Sequence, residues 1–224
     1  MITHLISALL LQATTPAADA LPEPASVQSQ PGAPEAEPVA FDREAAIADV
    51  NTYLNAITTL RARFIQIAPN GSATRGLLSM SRPGRLLFEY DDPSPIRVIA
   101  DGTTVALEDR ALETVDRAPL RSTPLWWLLK ADIDIATDAE IVDIRSEYGF
   151  LSVIVRDPAG EMDGEIEFLF AGPELELREW FVTDALGEVT RVSLLETETG
   201  IDLNPRLFAI PDPQAERDSR RGRR

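Results

Sequence analysis

The stretch that decides the fold is TRGLLSMSRPGRLLFEYD, residues 74–91. Apolar and polar side chains follow a two-residue period over residues 74–81 and again over residues 85–91, as in half-buried strands. Between the two runs stands Arg82-Pro83-Gly84, and proline followed by glycine is a strong turn signal. The stretch therefore predicts two neighbouring antiparallel strands joined by a tight turn.

The same pattern continues on both sides of this stretch. Ten or eleven short strands follow one another, separated by turn signals such as Pro69-Asn70-Gly71 and Asp101-Gly102. This order predicts a mainly β protein with an antiparallel meander, and so long a sheet curls into a barrel or half-barrel. The other predicted strands are residues 61–68, 96–100, 103–108, 112–115, 140–145, 150–156, 165–170, 177–183 and 188–195.

Two segments have the pattern of helices. Residues 41–60 carry apolar side chains at steps of three and four, with Asp42 as a plausible N-cap. Residues 125–130 form a shorter helix, opened by Ser122-Thr123-Pro124. Both would cover the apolar inner face of a half-closed barrel. Periodicity alone favours a permanent plug and leaves a movable lid as the alternative.

The two ends of the chain differ from its middle. Residues 5–13 are an apolar run too short to cross a bilayer, and Ala18-Asp19-Ala20 fits a cleavage site, so residues 1–20 predict a signal peptide. An apolar leader on a cytosolic protein is the alternative, because no Lys or Arg precedes the run. Residues 21–40 predict a disordered Pro/Ala/Glu linker, and residues 214–224 a disordered basic tail. The half-barrel domain is then expected at residues 41–213.

Composition excludes several functions. The chain has 37 acidic and 21 basic side chains, a formal net charge of -16, and such a surface repels nucleic-acid phosphates. It has no Cys, and its one histidine, His4, lies in the predicted signal peptide. Without thiol or imidazole, Ser–His–Asp, Cys–His and His-ligated metal mechanisms are excluded. We expect no nucleic-acid partner, no catalytic residue, no metal and no cofactor.

Several runs together resemble the LolA family, periplasmic carriers that move lipoproteins from the inner to the outer membrane. The resemblance covers roughly residues 41–210, and the run from Arg82 to Tyr90 is its most specific part. The other runs are Phe64-Ile65-Gln66, Gly76 to Met80, Asp101-Gly102, Thr123 to Leu129, Asn204-Pro205 and Leu207-Phe208. Single matching residues lie between the run that ends at Leu129 and the one that begins at Asn204: Trp180, Val182, Asp184, Gly187, Thr190 and Val192.

The resemblance implies an unclosed β-barrel with a helical lid over a hydrophobic cavity. It further implies a monomer in the periplasm that binds the acyl chains of lipoproteins without covalent change. The implied partners are an inner-membrane lipoprotein-releasing ABC transporter and, if one is present, an outer-membrane lipoprotein acceptor. With this resemblance, the two helices are expected to act as a lid.

The resemblance also assigns residues. Arg82 matches the family arginine that links barrel to lid and matters for cargo transfer. Leu86 falls where a large apolar residue, often Phe, handles cargo. The candidate cavity residues are apolar positions on one strand face and on the covering helix, and plain core is the alternative for each: Phe64, Leu78, Met80, Phe88, Tyr90, Trp126, Leu129, Phe168, Phe170 and Trp180.

Two other functions remain to be weighed. A two-carboxylate glycosidase needs no histidine, and the acid pairs Asp91-Asp92, Asp132 with Asp134, and Glu165 with Glu167 are candidates. Such pairs on turns or alternating strand positions are usually solvated, so we expect no enzyme. The second alternative uses the same half-barrel as a periplasmic lipid- or glycolipid-binding module or an envelope sensor.

Overall fold

Short strands joined by tight turns make up most of the chain. The computed structural model describes residues 41–160 and 164–212. The predicted signal peptide and linker lie outside the described residues, as does the predicted basic tail. The strands that the structure describes are Thr59–Ile67 (β1), Ala73–Ser81 (β2), Arg85–Tyr90 (β3), Ile96–Asp101 (β4), Thr104–Asp109 (β5), Thr114–Pro119 (β6), Glu140–Glu147 (β7), Phe150–Arg156 (β8), Glu165–Ala171 (β9), Glu176–Thr183 (β10) and Val189–Thr199 (β11).

All of these strands belong to one antiparallel sheet. Its order is β6-β5-β4-β3-β2-β1-β11-β10-β9-β8-β7, so β1 lies in the middle and pairs with both β2 and β11. The edge strands β6 and β7 do not pair with each other. The predicted mainly β fold, an unclosed half-barrel of ten or eleven strands, is therefore confirmed, with eleven strands in the described part of the chain.

The inner face of the sheet follows from the alternation of side chains. In β1, every second residue from Leu60 to Gln66 is buried. Leu86 and Phe88 on β3 face the same core, whereas Leu87 between them belongs to a separate cluster on the opposite face. Because successive strand residues point to opposite faces, one strand supplies both cores.

The first helix is shorter than the sequence predicts. Helix α1 is Arg43–Ala56, and Asp42 caps it by accepting a hydrogen bond from the Ala45 backbone N–H at 2.9 Å. The prediction that it continues to residue 60 was wrong, since β1 begins at Thr59. Ile57 and Leu60 are buried all the same. The three-residue spacing of Ile57 and Leu60 is that of a helix face, but the two residues do not lie on one helix. A bend of the chain between α1 and β1 brings both side chains into the same core.

The connection between the two edge strands carries the other helices. Residues 120–139 lead from β6 to β7 and contain the predicted helix, Trp126–Leu129 (α2), and a second one, Ile135–Asp138 (α3). A 3-10 helix, Leu120–Ser122, precedes them. The predicted strand at 112–115 is displaced, since β6 starts at Thr114. The segment that joins the two edges of the open sheet is therefore also the segment that carries α2.

The end of the described chain covers the outer face of the sheet. After β11, a 3-10 helix, Pro205–Phe208, brings Phe208 and Leu203 against Leu87 and Ile99. Leu87 and Ile99 are paired neighbours on β3 and β4. Within the described residues, none of the helices has the length and apolar character needed to cross a membrane.

Candidate functional site

The inner face of the half-barrel is apolar and is covered by α1 and α2. Val50 and Leu54 of α1 and Leu128 and Leu129 of α2 are buried in one core with the inward side chains of the strands. These contacts keep the apolar inner face away from water. The structure therefore shows the covered state of the barrel.

A small cavity remains under this cover. Its volume is about 60 Å³, whereas pockets that enclose a small molecule are roughly 300–1,000 Å³. This cavity, as the described residues line it, is therefore too small for an acyl chain. The side chains that line the cavity are Gln66, Phe88, Tyr90, Val98, Pro124, Leu125, Trp180, Val182, Thr190 and Val192.

The structure places the ten cavity candidates in or against one core. Phe88, Tyr90 and Trp180 line the cavity itself. Leu86 is fully buried on β3, where it pairs with Met80 and Ala100. Trp126 is half-buried at the edge, under the Arg121 guanidinium 4.9 Å from its ring. The others are buried in the surrounding core: Phe64, Leu78, Met80, Leu129, Phe168 and Phe170.

Aromatic rings form the floor of the cavity. The ring centroid of Phe64 lies 5.0 Å from that of Phe88 and 5.2 Å from that of Tyr90, and both contacts are edge-to-face. Phe88 in turn lies 6.3 Å from Trp180. Gly76 is required here, because a Cβ at this position would come within 2.6 Å of the Phe64 ring. The missing side chain thus lets the rings meet across β2.

Arg82 joins the β2–β3 turn to both covering helices, a set of contacts here named the Arg82 bridge. Its Nε donates to the carbonyl oxygen of Leu128 at 2.8 Å, and its Nη1 donates to the carbonyl oxygen of Leu54. Both carbonyls lie near the C-terminal ends of helices, where carbonyl groups run out of intrahelical partners. The Leu54 carbonyl also accepts from the Ile57 backbone N–H at 3.3 Å. The Gly84 backbone N–H adds a bond to the carbonyl oxygen of Leu129 at 2.8 Å.

The charge of Arg82 lacks a carboxylate partner. Within the described residues, none of the ion pairs involves Arg82, and its Nη2 is buried without a hydrogen-bond partner. Burial lowers the pKa of Arg82 to about 10, so the side chain is still protonated at neutral pH. The two carbonyl oxygens that accept from Arg82 provide its polar contacts instead. The Arg82 bridge therefore leaves one buried nitrogen of the guanidinium without a hydrogen-bond acceptor in the described part of the chain.

A second set of polar contacts ties α1 to the segment before α3. Asn55 Nδ2 donates to the carbonyl oxygen of Ile133 at 2.8 Å, and the Ile133 N–H donates to Asn55 Oδ1 at 2.9 Å. One turn earlier, Asn51 Oδ1 accepts from the Ile135 N–H at 3.0 Å. The Tyr53 hydroxyl accepts from the Leu177 N–H of β10 at 2.9 Å.

The sequence analysis missed these contacts. The available signal was a pair of asparagines four residues apart on an amphipathic helix, a spacing that puts Asn51 and Asn55 on one side of α1. Gln66 and Thr190 were noted only as parts of the resemblance. Gln66 could have been singled out because it continues the inward face of β1 after Phe64.

The acid pairs do not converge on a site. Asp91 forms an ion pair with Arg63, Asp134 caps α3, and Glu167 accepts from the Ser152 hydroxyl. In the part of the chain that the structure describes, no group of three or more His, Cys, Asp or Glu residues is placed to hold a metal ion. What the site offers is apolar surface under a cover held by hydrogen bonds.

An open sheet with a covered apolar face defines a binding protein of the half-barrel class. The model of the family described as outer membrane lipoprotein carrier protein LolA matches residues 55–211, more than half of the chain. The chain therefore belongs to the LolA family. This is a family of outer-membrane lipoprotein carrier proteins.

Individual relatives are similar at moderate identity. An outer-membrane lipoprotein carrier protein of Pseudomonas paraeruginosa is 39% identical over 186 residues, covering 77% of this chain and 86% of its own. One from Dechloromonas aromatica is 28% identical over 178 residues, covering 75% and 84%. Among solved structures, a LolA superfamily protein from Nitrosomonas europaea matches with a TM-score of 0.43 and 10% identity, covering 73% of this chain and 97% of that one.

Proposed function

We propose that this protein is a periplasmic carrier that takes up the acyl chains of lipoproteins under its helical cover and delivers them from the inner to the outer membrane. The observation that carries the proposal is an apolar inner face covered by helices that polar contacts to backbone groups hold in place. The proposed carrier domain is residues 41–213, behind a signal peptide at 1–20, and it works as a monomer.

The size of the cavity implies that the cover moves. A volume of about 60 Å³ cannot hold an acyl chain, so cargo has to displace α1 and α2 from the inner face. Cavity-lining residues would then include the core side chains that the cover now contacts, such as Leu86, Leu78 and Phe168. In this scheme α1 and α2 are a plug when they cover the inner face and a lid when cargo displaces them.

Closing the cover makes the binding reversible. Each buried methylene contributes about 0.8 kcal/mol, so several acyl chains would sum to tens of kcal/mol. Noncovalent affinities saturate near about 18–21 kcal/mol, and a carrier that approached this limit would not release its cargo. Because the helices compete with the chains for the same apolar surface, the cover lowers the net affinity. Delivery then needs only an acceptor with a better site.

The proposed partners follow from this cycle. An inner-membrane lipoprotein-releasing ABC transporter would load the carrier by driving the cover open. An outer-membrane lipoprotein acceptor would take the chains as the cover closes. Native mass spectrometry of the protein purified from the periplasm tests the cargo: bound lipoprotein supports carriage, and a stoichiometric protein complex without lipid supports the sensor alternative.

Arg82→Leu tests the role of the bridge. Hydrogen bonds to charged groups contribute about 1.5–3 kcal/mol each, so losing both would shift the cover toward the open state by at least about tenfold. The variant should therefore take up lipoprotein released from inner-membrane vesicles at least as well as the unmodified protein. Its delivery of lipoprotein to outer membranes should fall by about tenfold or more.

The matched control is Arg85→Leu, three residues along the chain. It removes the same charge from an exposed side chain. Arg85→Leu should load and deliver normally. Normal delivery by Arg82→Leu would contradict the proposed role of the bridge.

A further inference from the structure

Three polar side chains lie together in the otherwise apolar cavity. Gln66 is at the end of β1, Tyr90 at the end of β3 and Thr190 at the start of β11, and all three line the cavity. Gln66 pairs with Val192, which makes Thr190 its diagonal neighbour across the two strands. The three therefore cluster at the end of the barrel opposite the β2–β3 turn that carries Arg82.

Two of these side chains are almost fully buried, and one of them has a hydroxyl without a hydrogen-bond partner within residues 41–160 and 164–212. Gln66 is 5% exposed and Thr190 is 6% exposed. The Thr190 hydroxyl has no hydrogen-bond partner among the described residues, although buried polar groups are normally paired. The neighbouring cavity positions on the same sheet are Val182 and Val192, so the position itself accommodates a valine.

The orientation of the Gln66 amide is fixed by Tyr90. The Tyr90 hydroxyl donates to Gln66 Oε1 at 2.7 Å, and burial raises the pKa of Tyr90, so this hydroxyl keeps its proton. With Oε1 engaged, the Nε2 group of Gln66 is directed away from Tyr90. The cavity is thus provided with two donors, the Gln66 amide N–H and the Thr190 hydroxyl.

The chemistry of these donors selects the ligand. A hydrocarbon chain accepts no hydrogen bond, and an anionic headgroup would need a cation, yet none of the residues lining the cavity is basic. A neutral carbonyl accepts hydrogen bonds and carries no charge. The carbonyls that accompany acyl chains are those of the ester or amide bonds that attach them.

We propose that Gln66 and Thr190 donate hydrogen bonds to the acyl carbonyls that join the chains to the cargo. The linkage then sits at this end of the barrel, and the chains extend over Phe88 and Trp180 under the opened cover. This inference rests on the proposed function, since it presupposes that acyl chains enter the barrel. It adds that the carrier recognises the linkage as well as the hydrocarbon.

The test uses the full chain and two synthetic probes. One is a peptide with two acyl chains ester-linked through a glyceryl cysteine, and the other is its dialkyl ether analogue with the same chain lengths. Thr190→Val removes one donor at similar volume, and Gln66→Met combined with Tyr90→Phe removes the other without leaving the Tyr90 hydroxyl free to donate in its place. Each should weaken binding of the ester probe about tenfold and leave the ether probe unchanged.

Two control variants separate the hydroxyl from its surroundings. Thr190→Ser keeps the donor and should bind the ester probe as the unmodified protein does. Thr197→Val makes the same change on the same strand, also at a buried hydroxyl without a partner, but away from the cavity, and should change neither probe. Thermal unfolding should show that Thr190→Val is no less stable, because its hydroxyl has no partner to lose.

The outcomes distinguish this inference from the proposed function. If the unmodified protein binds both probes equally, or if Thr190→Val weakens both alike, the carbonyl site is wrong while carriage stands. If it binds neither probe, both proposals fail. Phospholipids carry the same ester carbonyls, so diacylphosphatidylglycerol is the third probe: tighter binding of the lipopeptide assigns the site to lipoprotein cargo, and tighter binding of the phospholipid assigns it to membrane lipid.

Discussion

The two faces of the sheet are covered in different ways. On the inner face, α1 and α2 are held by directed polar contacts: the Arg82 bridge, the Asn55 pair with Ile133, and the Tyr53 hydroxyl. On the outer face, the segment after β11 is held mainly by apolar side chains, with Phe208 only 2% exposed. Both covers bury apolar surface and both form hydrogen bonds to the barrel: on the outer face the Thr59 hydroxyl donates to the carbonyl oxygen of Ile201 at 2.8 Å, and Arg117 Nη2 donates to the carbonyl oxygen of Pro211 at 2.7 Å. The inner cover differs in that one of its contacts is made by the buried charge of Arg82. Its Asn55 bonds join α1 to the connection that carries α2.

In the proposed carrier cycle, the inner cover opens while the outer cover stays closed. Acyl chains would replace the apolar contacts that the inner cover makes with the barrel, so that cargo makes up the loss of apolar burial on opening. The polar contacts of the Arg82 bridge have no counterpart in a hydrocarbon chain, so in this cycle they set the balance between covered and loaded states. On the outer face, we expect the burial of Phe208 to contribute to stability.

The largest effect is expected on the outer face. Phe208→Ala should lower the free energy of unfolding by about 3–5 kcal/mol, because it empties a buried aromatic site. Denaturant unfolding measures this loss, and uptake of lipoprotein per folded molecule should stay unchanged. Leu207→Ala, at an exposed neighbouring position, should change stability by about 0.5 kcal/mol or less. A stable Phe208→Ala variant would mean that the outer cover is not held by apolar burial.

On the inner face, Asn55→Ala should have an intermediate effect. It removes both hydrogen bonds with Ile133 and leaves two backbone groups without partners, which costs about 1–3 kcal/mol. The covered state loses this energy, so amide hydrogen exchange at Ile133 should accelerate and an acyl probe should bind more tightly.

The control for Asn55→Ala lies on the same helix. Thr52→Ala removes a hydroxyl that bonds only to the carbonyl oxygen of Ala48 within α1. It should alter neither exchange at Ile133 nor probe binding. Exchange at Ile133 that stays slow in Asn55→Ala would show that apolar contacts alone hold the inner cover.

Local patterns predicted the sheet well and the cover poorly. Strand period and glycine turns are properties of neighbouring residues, so the strands, the pairing of consecutive strands and an open sheet could be predicted. The pairing of β1 with β11 and the opening between β6 and β7 could not, because they join or separate strands by long-range packing that a predicted meander does not specify. The end of α1 could not, because Ile57 and Leu60 fit a helix and a strand equally well. Helix α3 has four residues, too few for any periodicity to show.

The contacts of the site depend on topology. Asn55 and Ile133 are 78 residues apart, and no local pattern joins them until the chain has crossed from β6 to β7. The place of Arg82 came from the resemblance alone, and its bonds to Leu54 and Leu128 became visible only in the structure. The cavity volume was equally impossible to predict, since it depends on how side chains from five strands and the segment before α2 pack.

The smallest effect is expected from Tyr53→Phe. It removes only the hydrogen bond from the Leu177 N–H, worth about 0.5–1.5 kcal/mol, while the ring keeps its edge contact with Phe170 at 5.8 Å. Acyl-probe binding should therefore tighten by less than in Asn55→Ala, as a titration of the two variants side by side would show.

The same substitution has a pH signature that apolar packing would not produce. Burial raises the pKa of Tyr53 above its ordinary value of 10.0, so the folded protein holds the phenolic proton more tightly than the unfolded chain. Stability from this group is complete below pH 10 and is lost as the pH rises through the folded pKa. The stability difference between the unmodified protein and Tyr53→Phe should therefore shrink above about pH 10. A difference that stays constant there would place the Tyr53 hydroxyl in water, and would remove it from the contacts that hold the inner cover.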